Sequence, residues 1–329
     1  MCKVALRVCA KAIPSHRQVA ATEFHAPLLS GRAVPTNRRR YVVAVLTEGS
    51  HFTACATIQQ RNVSIHPTAV IHPQAVLGTG VKVGPLAVIE EGAVLGDGCT
   101  VHAHAFVGGH VALGKNCTVG HGSVLGGDPQ DFAFKPQVRS RVIIGDGTKI
   151  FESVTIHRGT VDGSETVVGE GCFLMGGAHL AHNVRLGTGV IIANNALLGG
   201  HVQVADRVFI GGGCVFHQGI RIGRLAICQG LSAFSKDIPP FVIAAERNGV
   251  AGLNVVGLRR AGLGAGERAE IKRAFDLLYR SGKNATQAIT SAQDEKWNAV
   301  GCEFWDFAVA AKKKGLCDWL GGRRGAEIM

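Results

Sequence analysis

The sequence predicts an all-β solenoid, a left-handed parallel β-helix of hexapeptide repeats, followed by a C-terminal α-helical domain. Three observations predict this fold class: an aliphatic residue recurs at every sixth position, a glycine often follows it, and a small or β-branched residue stands four positions after it. A period of six fits neither an α-helix nor an alternating strand. It fits a triangular coil in which three hexads make one turn and stacked turns bury a continuous core.

The composition agrees with a core built from thin, repeated layers. The 329 residues include 45 glycines, and only 6% are aromatic. No apolar stretch reaches the roughly 18–20 residues that a membrane span needs, so no membrane span is expected. The formal charge is +11, but Lys and Arg are not interleaved with aromatic residues as a nucleic-acid surface would require. Nucleic acid is therefore not an expected partner, whereas a basic face could bind an acidic protein.

The repeat runs in two stretches. The aliphatic positions of the first are Ile65, Ile71, Leu77, Val83, Ile89, Leu95, Val101, Val107, Leu113, Val119 and Leu125. A loop at about 126–141 then shifts the register by one residue. The second stretch continues with Ile144, Ile150, Ile156, Val168, Leu174, Leu180, Leu186, Ile192, Leu198, Val204, Ile210, Phe216, Ile222, Cys228 and Phe234. Asp162, beside Gly163, breaks this stretch and predicts a short excursion from the coil.

The ten cysteines include no C-x-x-C pair and no zinc-finger spacing. The repeat places Cys99, Cys117, Cys172 and Cys214 at the small interior position and Cys228 at the aliphatic position. A free cysteine behaves there as a small hydrophobic residue. We therefore expect buried, structural thiols and a reducing compartment.

Three regions are expected along the chain. Residues 1–62 form a basic extension outside the repeat, since nine Lys and Arg against two Glu in residues 1–61 give +7. An organellar targeting segment and an unstructured extension both fit this composition. Residues 63–237 form the coil, which Pro239-Pro240 ends because proline cannot continue a strand ladder. Residues 238–329 form the helical domain.

Two apolar faces predict helices in that last region. The first comprises Ile271, Ala274, Phe275 and Leu278 at helical spacing, and Gly282 supplies a stop. The second comprises Trp297, Val300, Phe304, Phe307 and Ala311.

Histidines collect where a coil of eighteen residues would stack them. His182, His201 and His217 are 19 and 16 residues apart, so they are expected on successive coils near one edge. His179 precedes His182 by three residues, and His157 lies further back. None of them occupies an aliphatic position, so their rings should face outward into a cleft. Nearby Gly-Gly pairs leave backbone N–H groups open to a ligand; they are Gly176-Gly177 and Gly199-Gly200.

This arrangement suits acyl transfer to a hydroxyl group. A neutral imidazole can remove the hydroxyl proton near neutral pH, and a backbone N–H can stabilise the tetrahedral oxyanion. Other interpretations remain open at this point: solvent-exposed corner residues on an inert scaffold, or a zinc site like that of the β-helical carbonic anhydrases.

Longer motifs resemble those of the UDP-N-acetylglucosamine O-acyltransferases, which catalyse the first step of lipid A synthesis in Gram-negative bacteria. The resemblance covers about residues 63–285. The motifs are His66-Pro67-Thr68-Ala69, Pro129-Gln130-Asp131, Glu152 to Thr160, Ala178 to His182, Ala193 to Ala196, Gly200-His201-Val202, His217-Gln218, Asp237 to Pro240, Asn254 to Arg260 and Tyr279 to Gly282.

The resemblance implies a role for each matching residue. His182 matches the general base, Gly200 the backbone oxyanion donor, and Asn183 stands where it could orient the imidazole. Residues that match substrate contacts are Gln130 and Asp131 in the loop, His157, His179, His201, His217 and Gln218 in the cleft for sugar nucleotide and pantetheine, and Asn254 and Arg260 for the nucleotide. Gly230 matches the residue that limits acyl chain length, although a corner glycine would look the same.

The resemblance also implies the partners. The donor is acyl carrier protein, whose phosphopantetheine thioester is a substrate, so no cofactor and no metal are expected. The acceptor is a UDP-amino sugar, the assembly is a homotrimer with sites between subunits, and the location is the bacterial cytoplasm. The related N-acyltransferase of the same pathway is the nearest alternative, but it carries a uridine-binding domain before its hexads, and residues 1–62 are short for one.

Three positions depart from the family pattern. Ala133 stands where a lysine is usual, with Lys135 two residues further on. Asn183 and Val256 stand where some members carry acidic residues. An amide cannot raise the basicity of a neighbouring imidazole as a carboxylate would.

Overall fold

The computed structural model describes residues 62–311 and 313–322; the predictions for residues 1–61 lie outside them. Short strands follow one another from Ser64 to Phe234. They are β1 (Ser64–Ile65), β2 (Val70–Ile71), β3 (Val76–Leu77), β4 (Lys82–Val83), β5 (Val88–Ile89), β6 (Val94–Leu95), β7 (Thr100–Val101), β8 (Phe106–Val107), β9 (Val111–Leu113), β10 (Thr118–Val119), β11 (Val124–Gly127), β12 (Arg141–Ile144), β13 (Lys149–Ile150), β14 (Thr155–His157), β15 (Glu165–Val168), β16 (Phe173–Leu174), β17 (His179–Leu180), β18 (Arg185–Leu186), β19 (Ile191–Ile192), β20 (Leu197–Leu198), β21 (Gln203–Val204), β22 (Phe209–Ile210), β23 (Val215–Phe216), β24 (Arg221–Ile222), β25 (Ile227–Cys228) and β26 (Ala233–Phe234).

Strands of the coil pair in parallel with the third strand before and after them, as far as the coil extends, which produces three sheets. The first sheet starts with β1, β4 and β7, the second with β2, β5 and β8, and the third with β3, β6 and β9. Ser64 pairs with Lys82, so one turn of the coil takes eighteen residues. These three walls confirm the predicted fold class, a left-handed parallel β-helix with C-terminal helices.

The interior is filled as the repeat predicts. The aliphatic positions from Val83 onward are buried, whereas Ile65, Ile71 and Leu77 at the open first coil are only partly covered. The five predicted interior cysteines are buried and free. Four of their thiols donate to corner carbonyls: Cys99 to Gly114 O at 3.0 Å, Cys117 to Gly145 O at 3.2 Å, Cys172 to Gly187 O at 3.2 Å and Cys214 to Gln229 O at 2.9 Å. A cysteine at the small position therefore also provides a donor to a backbone carbonyl oxygen of the corner.

Two insertions leave the same edge of the coil. The inserted loop (residues 128–140) separates β11 from β12, and the short excursion (residues 160–164) separates β14 from β15. β11 and β14 are neighbours in the second sheet, where Val124 pairs with Thr155. The two interruptions lie one coil apart, beside the corner that carries the histidines.

The strand ladder continues beyond the predicted end of the coil. β27 (Val242–Ala245) pairs in parallel with β25, and β28 (Gly249–Leu253) turns back antiparallel to β27. Pro240 does not stop the ladder because it lies at a corner, where no strand N–H is required. Gly223 makes room for it, since a Cβ on Gly223 would lie 2.2 Å from Pro240 N.

Four helices follow in the described part of the chain: α1 (Val255–Arg260), α2 (Ala265–Tyr279), α3 (Ala285–Gln293) and α4 (Ala299–Ala310). A short strand β29 (Asp318–Trp319) and a 3₁₀ turn (Leu320–Gly322) come after them. α2 buries the four predicted residues, and α4 buries Val300 and Phe304 together with Trp305. Arg224 on the last coil forms an ion pair with Glu303 of α4 at 2.6 Å, which joins the helices to the coil.

Within the described chain, no helix has both the length and the apolar character to cross a bilayer.

Candidate active site

Four histidines meet at the corner between the second and third sheets, and we call them the histidine cluster: His157, His179, His182 and His201. His157 ends β14, and His179 lies in the next strand of the sheet, β17. His182 follows β17 at the corner, and His201 occupies the corner one coil later. Leu180 is fully buried between His179 and His182, so the inward position is aliphatic and the imidazoles lie outside the core, as predicted.

The rings of the cluster contact each other edge to face. The centroids of His157 and His179 are 5.0 Å apart at 86°, and those of His182 and His201 are 5.1 Å apart at 82°. Thr155 Oγ1 lies 2.7 Å from Nδ1 of His179. His157 and His182 are almost completely buried, whereas His201 is exposed. The cluster therefore forms a wall that opens to the surface on the side of His201.

Burial keeps most of these imidazoles neutral. Burial, together with the neighbouring His179 and His182, lowers the pKa of His157 to about 4. Burial also lowers the pKa of His179, and burial and His182 lower that of His201. Nδ1 of His157 is buried and has no hydrogen-bond partner among the described residues. His182 is thus surrounded by uncharged rings at neutral pH.

His182 is held between a polar side chain and a glycine. Its Nδ1 lies 3.0 Å from Oδ1 of Asn183. Its ring lies against Gly200 on the next coil, where a Cβ would come within 2.4 Å of Cε1 and 2.5 Å of Nε2. A glycine is required at this position because any side chain would displace the imidazole.

The backbone N–H of Gly200 lies at the same corner of the coil as the His182 ring. At some equivalent corners an aspartate of the next coil accepts this N–H: Thr79 N donates to Asp97 Oδ1 and Thr188 N to Asp206 Oδ1, both at 2.8 Å. One coil after Gly200 stands Gln218, and within residues 62–311 and 313–322 no acceptor is recorded for Gly200 N. This donor next to the His182 ring is therefore available to an oxyanion.

The inserted loop is fixed by one buried guanidinium. Arg158, only 4% exposed, lies 2.9 Å from Oδ1 of Asp128. It also donates to the carbonyls of Val138 and Pro136, the latter at 3.0 Å, and its guanidinium lies 4.8 Å from the Phe134 ring. Because Arg158 follows His157 directly, the loop is fixed relative to the histidine cluster.

Comparisons with known proteins agree with this architecture. Residues 237–317 match the family model "Udp N-acetylglucosamine O-acyltransferase; Domain 2", and residues 92–127 and 165–200 match "Bacterial transferase hexapeptide (six repeats)". The acyl-[acyl-carrier-protein]–UDP-N-acetylglucosamine O-acyltransferase of Sinorhizobium medicae is 41% identical over 264 residues, which are 79% of this chain and 97% of that protein.

The chain belongs to the UDP-N-acetylglucosamine O-acyltransferase family.

Further relatives and solved structures agree with this membership. The like-named protein of Gloeothece citriformis is 39% identical, over 54% of this chain and 63% of that protein, so the chain spans less than two thirds of that relative. The structure of the Bacteroides fragilis UDP-N-acetylglucosamine acyltransferase has a TM-score of 0.73 at 34% identity and covers 76% of this chain and 98% of that one. The structure of the Arabidopsis UDP-N-acetylglucosamine acyltransferase has a TM-score of 0.69 at 31% identity. It covers 77% of this chain and 100% of that one.

The family motifs outside the cluster are spread over the surface of one subunit. Gln130 and Asp131 are exposed on the inserted loop, where Asp131 Oδ1 accepts the Ala133 N–H at 2.9 Å. His217 and Gln218 are exposed two coils after His182. Among the described residues no hydrogen bond joins these four to the cluster, so their substrate roles remain predictions.

The family-motif residues nearer the C-terminus differ from one another in burial. Asn254 is buried and caps α1: its Oδ1 accepts Gly257 N–H at 2.9 Å, and its Nδ2 donates to Leu225 O at 2.8 Å. Arg260, at the end of the same helix, is exposed. Gly230 is an exposed corner residue with space for a side chain apart from Gly212 O, 3.1 Å from its ideal Cβ. Its proposed role in chain length also remains a prediction.

Sequence reasoning missed the residues that support this family motif. Thr155 contacts His179, Arg158 fixes the loop, and Lys314 Nζ reaches within 3.4 Å of His217 Nδ1. The one available signal for the first two was their position inside the motif Glu152 to Thr160. Lys314 lies 97 residues from its partner, and no pattern of spacing connects them.

Metal ligation was the rival prediction for the histidines. Over the part of the chain that the structure describes, no group of three or more His, Cys, Asp or Glu side chains is arranged to hold a metal ion. The ring pairs place the imidazoles edge to face against each other.

Proposed function

We propose that the chain transfers a (3-hydroxy)acyl group from acyl carrier protein to the 3-hydroxyl of UDP-N-acetylglucosamine, the first step of lipid A biosynthesis, with His182 as general base. The observation that carries this proposal is the juxtaposition of the His182 ring and the unpartnered N–H of Gly200 on successive coils. Acyl transfer needs both a base and an oxyanion donor at one reacting carbon.

The reaction follows from these two groups. Nε2 of His182 takes the proton of the sugar 3-hydroxyl as its oxygen attacks the thioester carbonyl carbon. The carbonyl oxygen becomes an oxyanion that accepts a hydrogen bond from Gly200 N–H. Collapse of the tetrahedral intermediate breaks the C–S bond, and the imidazolium returns its proton to the departing pantetheine sulfur. The products are the 3-O-acyl sugar nucleotide and the free thiol of acyl carrier protein.

Binding of the rest of the substrates is assigned by the family motifs. Gln130 and Asp131 of the inserted loop contact the sugar nucleotide, and His157, His179, His201, His217 and Gln218 line the cleft. Asn254 and Arg260 contact the nucleotide, and Gly230 ends the acyl groove. No cofactor beyond the pantetheine thioester of the donor is needed.

A homotrimer with sites between subunits fits the surface of this chain. The outward residues of the second sheet next to the cluster are apolar and exposed: Leu197 is 45% exposed and Val215 41%. The side chain of Phe132, beside Asp131 on the inserted loop, is fully exposed. Packing against a second copy would cover both surfaces. A mass three times that of the 34.5 kDa chain in solution would support this assembly.

The buried, free cysteines are consistent with the cytoplasm.

Product analysis tests the proposal. Purified protein is incubated with a mixed pool of acyl carrier protein thioesters and either UDP-N-acetylglucosamine or the 3-O-acylated sugar with a free 2-amine, and products are identified by mass spectrometry. We expect 3-O-acyl product from the first acceptor, and none from His182→Gln. The exposed His66, on the first coil, gives the matched control His66→Gln, which should retain activity.

The same experiment separates the alternatives. Product from the amine-bearing acceptor alone would replace the proposal by the N-acyltransferase. Hydration of carbon dioxide together with stoichiometric zinc would replace it by a carbonic anhydrase. No turnover by the unmutated protein in any of these assays would favour a scaffold.

A further inference from the structure

The short excursion places a second layer of donors behind the general base. Thr160, its first residue, donates two hydrogen bonds to Oδ1 of Asn183, from its backbone N at 3.2 Å and from its Oγ1 at 3.1 Å. The same Oδ1 lies 3.0 Å from Nδ1 of His182. A single amide oxygen therefore faces Thr160 on one side and the imidazole on the other.

This arrangement decides which nitrogen of His182 carries the proton. The backbone N–H of Thr160 can only donate, so the Asn183 atom that it contacts must be the amide oxygen and not the NH₂ group. An amide oxygen can only accept, so Nδ1 of His182 must carry a hydrogen. Nε2 then holds the free lone pair that a general base requires.

Asn183 is also held through its backbone. Its N–H donates to Oγ1 of Thr166 at 2.8 Å, and Thr166 is fully buried in the third sheet. Its φ of +61° is a left-handed conformation, which asparagine tolerates better than most residues. The backbone of Asn183 is therefore fixed from the core, and Thr160 fixes the orientation of its side chain.

Hydrogen bonds fix the excursion internally and to the inserted loop. Ser164 Oγ donates to Val161 O at 2.7 Å within it. Asp162 Oδ1 accepts the N–H of Arg139 at 2.7 Å, and Gly163 N donates to Arg139 O at 2.9 Å. Thr160 thus has a defined position relative to both the coil and the inserted loop.

We propose that Thr160 is a positioning residue: through Asn183 it holds His182 in the Nδ1–H tautomer with Nε2 facing the substrate hydroxyl. This inference rests on the proposed function for its catalytic consequence. It also explains how a site with an amide beside the base keeps that base oriented. The N–H of Thr160 can only donate, so it selects the amide oxygen of Asn183, and the hydroxyl adds a second hydrogen bond to the same oxygen.

Kinetics of two substitutions test the catalytic part. Thr160→Val removes the hydroxyl and retains the shape, and we expect kcat to fall about tenfold, because the backbone N–H remains and general-base catalysis as a whole contributes about 10²–10⁴-fold. KM for both substrates should stay within about twofold, because Thr160 acts through the base. Thr160→Ser should restore kcat to within about threefold. Thr118→Val, at the half-buried position of β10 in the first sheet, is the matched control.

A spectroscopic readout tests the tautomer without turnover. Magic-angle-spinning NMR of protein labelled with ¹⁵N-histidine distinguishes Nδ1–H from Nε2–H imidazole, and the His182 signals are identified by difference against His182→Gln. We expect Nδ1–H for His182 in the unmutated protein and in Thr160→Ser, and an admixture of Nε2–H in Thr160→Val.

The outcomes separate the two proposals. An unmutated protein that shows the Nδ1–H tautomer but no acyl transfer would end the proposed function and leave the tautomer assignment intact. Acyl transfer with unchanged kcat in Thr160→Val, or an Nε2–H tautomer in the unmutated protein, would overturn the role of Thr160. Failure of the serine variant to restore kcat would do the same.

Discussion

A Cβ atom on Gly200 would lie 2.4 Å from Cε1 of His182, although the two residues are on different coils. Real Cβ contacts are not this short, so Gly200→Ala must displace the imidazole or shift the corner. Either movement changes the position of the base relative to the Gly200 N–H. We expect kcat for acyl transfer to fall at least about 100-fold, the loss typical for one oxyanion donor.

The matched control for this prediction is Gly252→Ala. A Cβ at Gly252 meets no atom within 4 Å, so the variant should keep both activity and unfolding midpoint. Steady-state kinetics on the three proteins, with circular dichroism to confirm folding, gives the comparison. A folded Gly200→Ala protein with an undiminished kcat would show that the tight corner has no part in the reaction.

The period of six accounts for how much of the fold could be predicted. Each hexad fixes one inward side chain, so Leu180 had to be buried and His179 and His182 had to lie outside the core. The end of the coil was predicted too early because of Pro240. Proline is unfavourable within a strand but not at a corner, and the sequence alone did not show which of these Pro240 would occupy.

In the candidate site too, the residues inside the repeat could be predicted and those of the insertions could not. The histidines could be placed together because the coil length converts sequence spacing into distance. The contacts of Thr160 with Asn183 and of Arg158 with the inserted loop depend on the paths of two insertions that do not follow the repeat. No period extends through such segments, so their hydrogen bonds could not be derived from spacing.

Acid should destabilise the protein through His157. The pKa of its imidazole is about 4 in the folded chain, chiefly because of burial, and about 6.5 in an unfolded chain. Between these values the unfolded state binds a proton that the folded state does not. This part of the stability is complete above about pH 6.5 and is lost as the pH falls toward 4, with a maximum of about 3 kcal/mol.

Denaturant unfolding at a series of pH values measures this effect. The unfolding free energy of the unmutated protein should fall more steeply between about pH 6.5 and 4 than that of His157→Gln, which cannot titrate. Protein concentration is kept constant because association contributes to apparent stability. Parallel pH profiles for the two proteins would exclude His157 as the origin of acid sensitivity.

The inserted loop should depend on Arg158. Lysine keeps the charge but lacks the planar fork that reaches Asp128 and the carbonyls of Val138 and Pro136 together. We expect Arg158→Lys to speed proteolytic cleavage within residues 128–140 and to raise KM for the sugar nucleotide about tenfold, which is about 1.4 kcal/mol.

Arg185→Lys provides the control, because Arg185 is exposed on the outer face of β18. It should change neither loop cleavage nor KM. If Arg158→Lys leaves the loop as resistant as before, the buried guanidinium does not hold it, whatever happens to turnover.

A side chain at Gly230 should shorten the preferred acyl chain. Gly230 does not have a positive φ, and its ideal Cβ lies in ordinary or slightly tight contact, 3.1 Å from Gly212 O and 3.7 Å from Gly212 N. Methionine is therefore compatible with the backbone and would extend outward from the corner. If the acyl chain ends there, Gly230→Met should lower kcat/KM for the longest accepted donor at least about tenfold, since a few methylenes in an apolar groove contribute 1–3 kcal/mol each.

Competition between acyl carrier protein thioesters of different chain lengths, with product masses as the readout, measures this preference directly. Gly266→Met, in the first turn of α2 where a Cβ meets no atom within 4 Å, serves as the control and should leave the product distribution unchanged. The shift in Gly230→Met should be toward shorter products with total turnover on short donors preserved, because the methionine blocks space and does not touch the base. A uniform loss of turnover on all chain lengths would instead assign Gly230 to the packing of the corner.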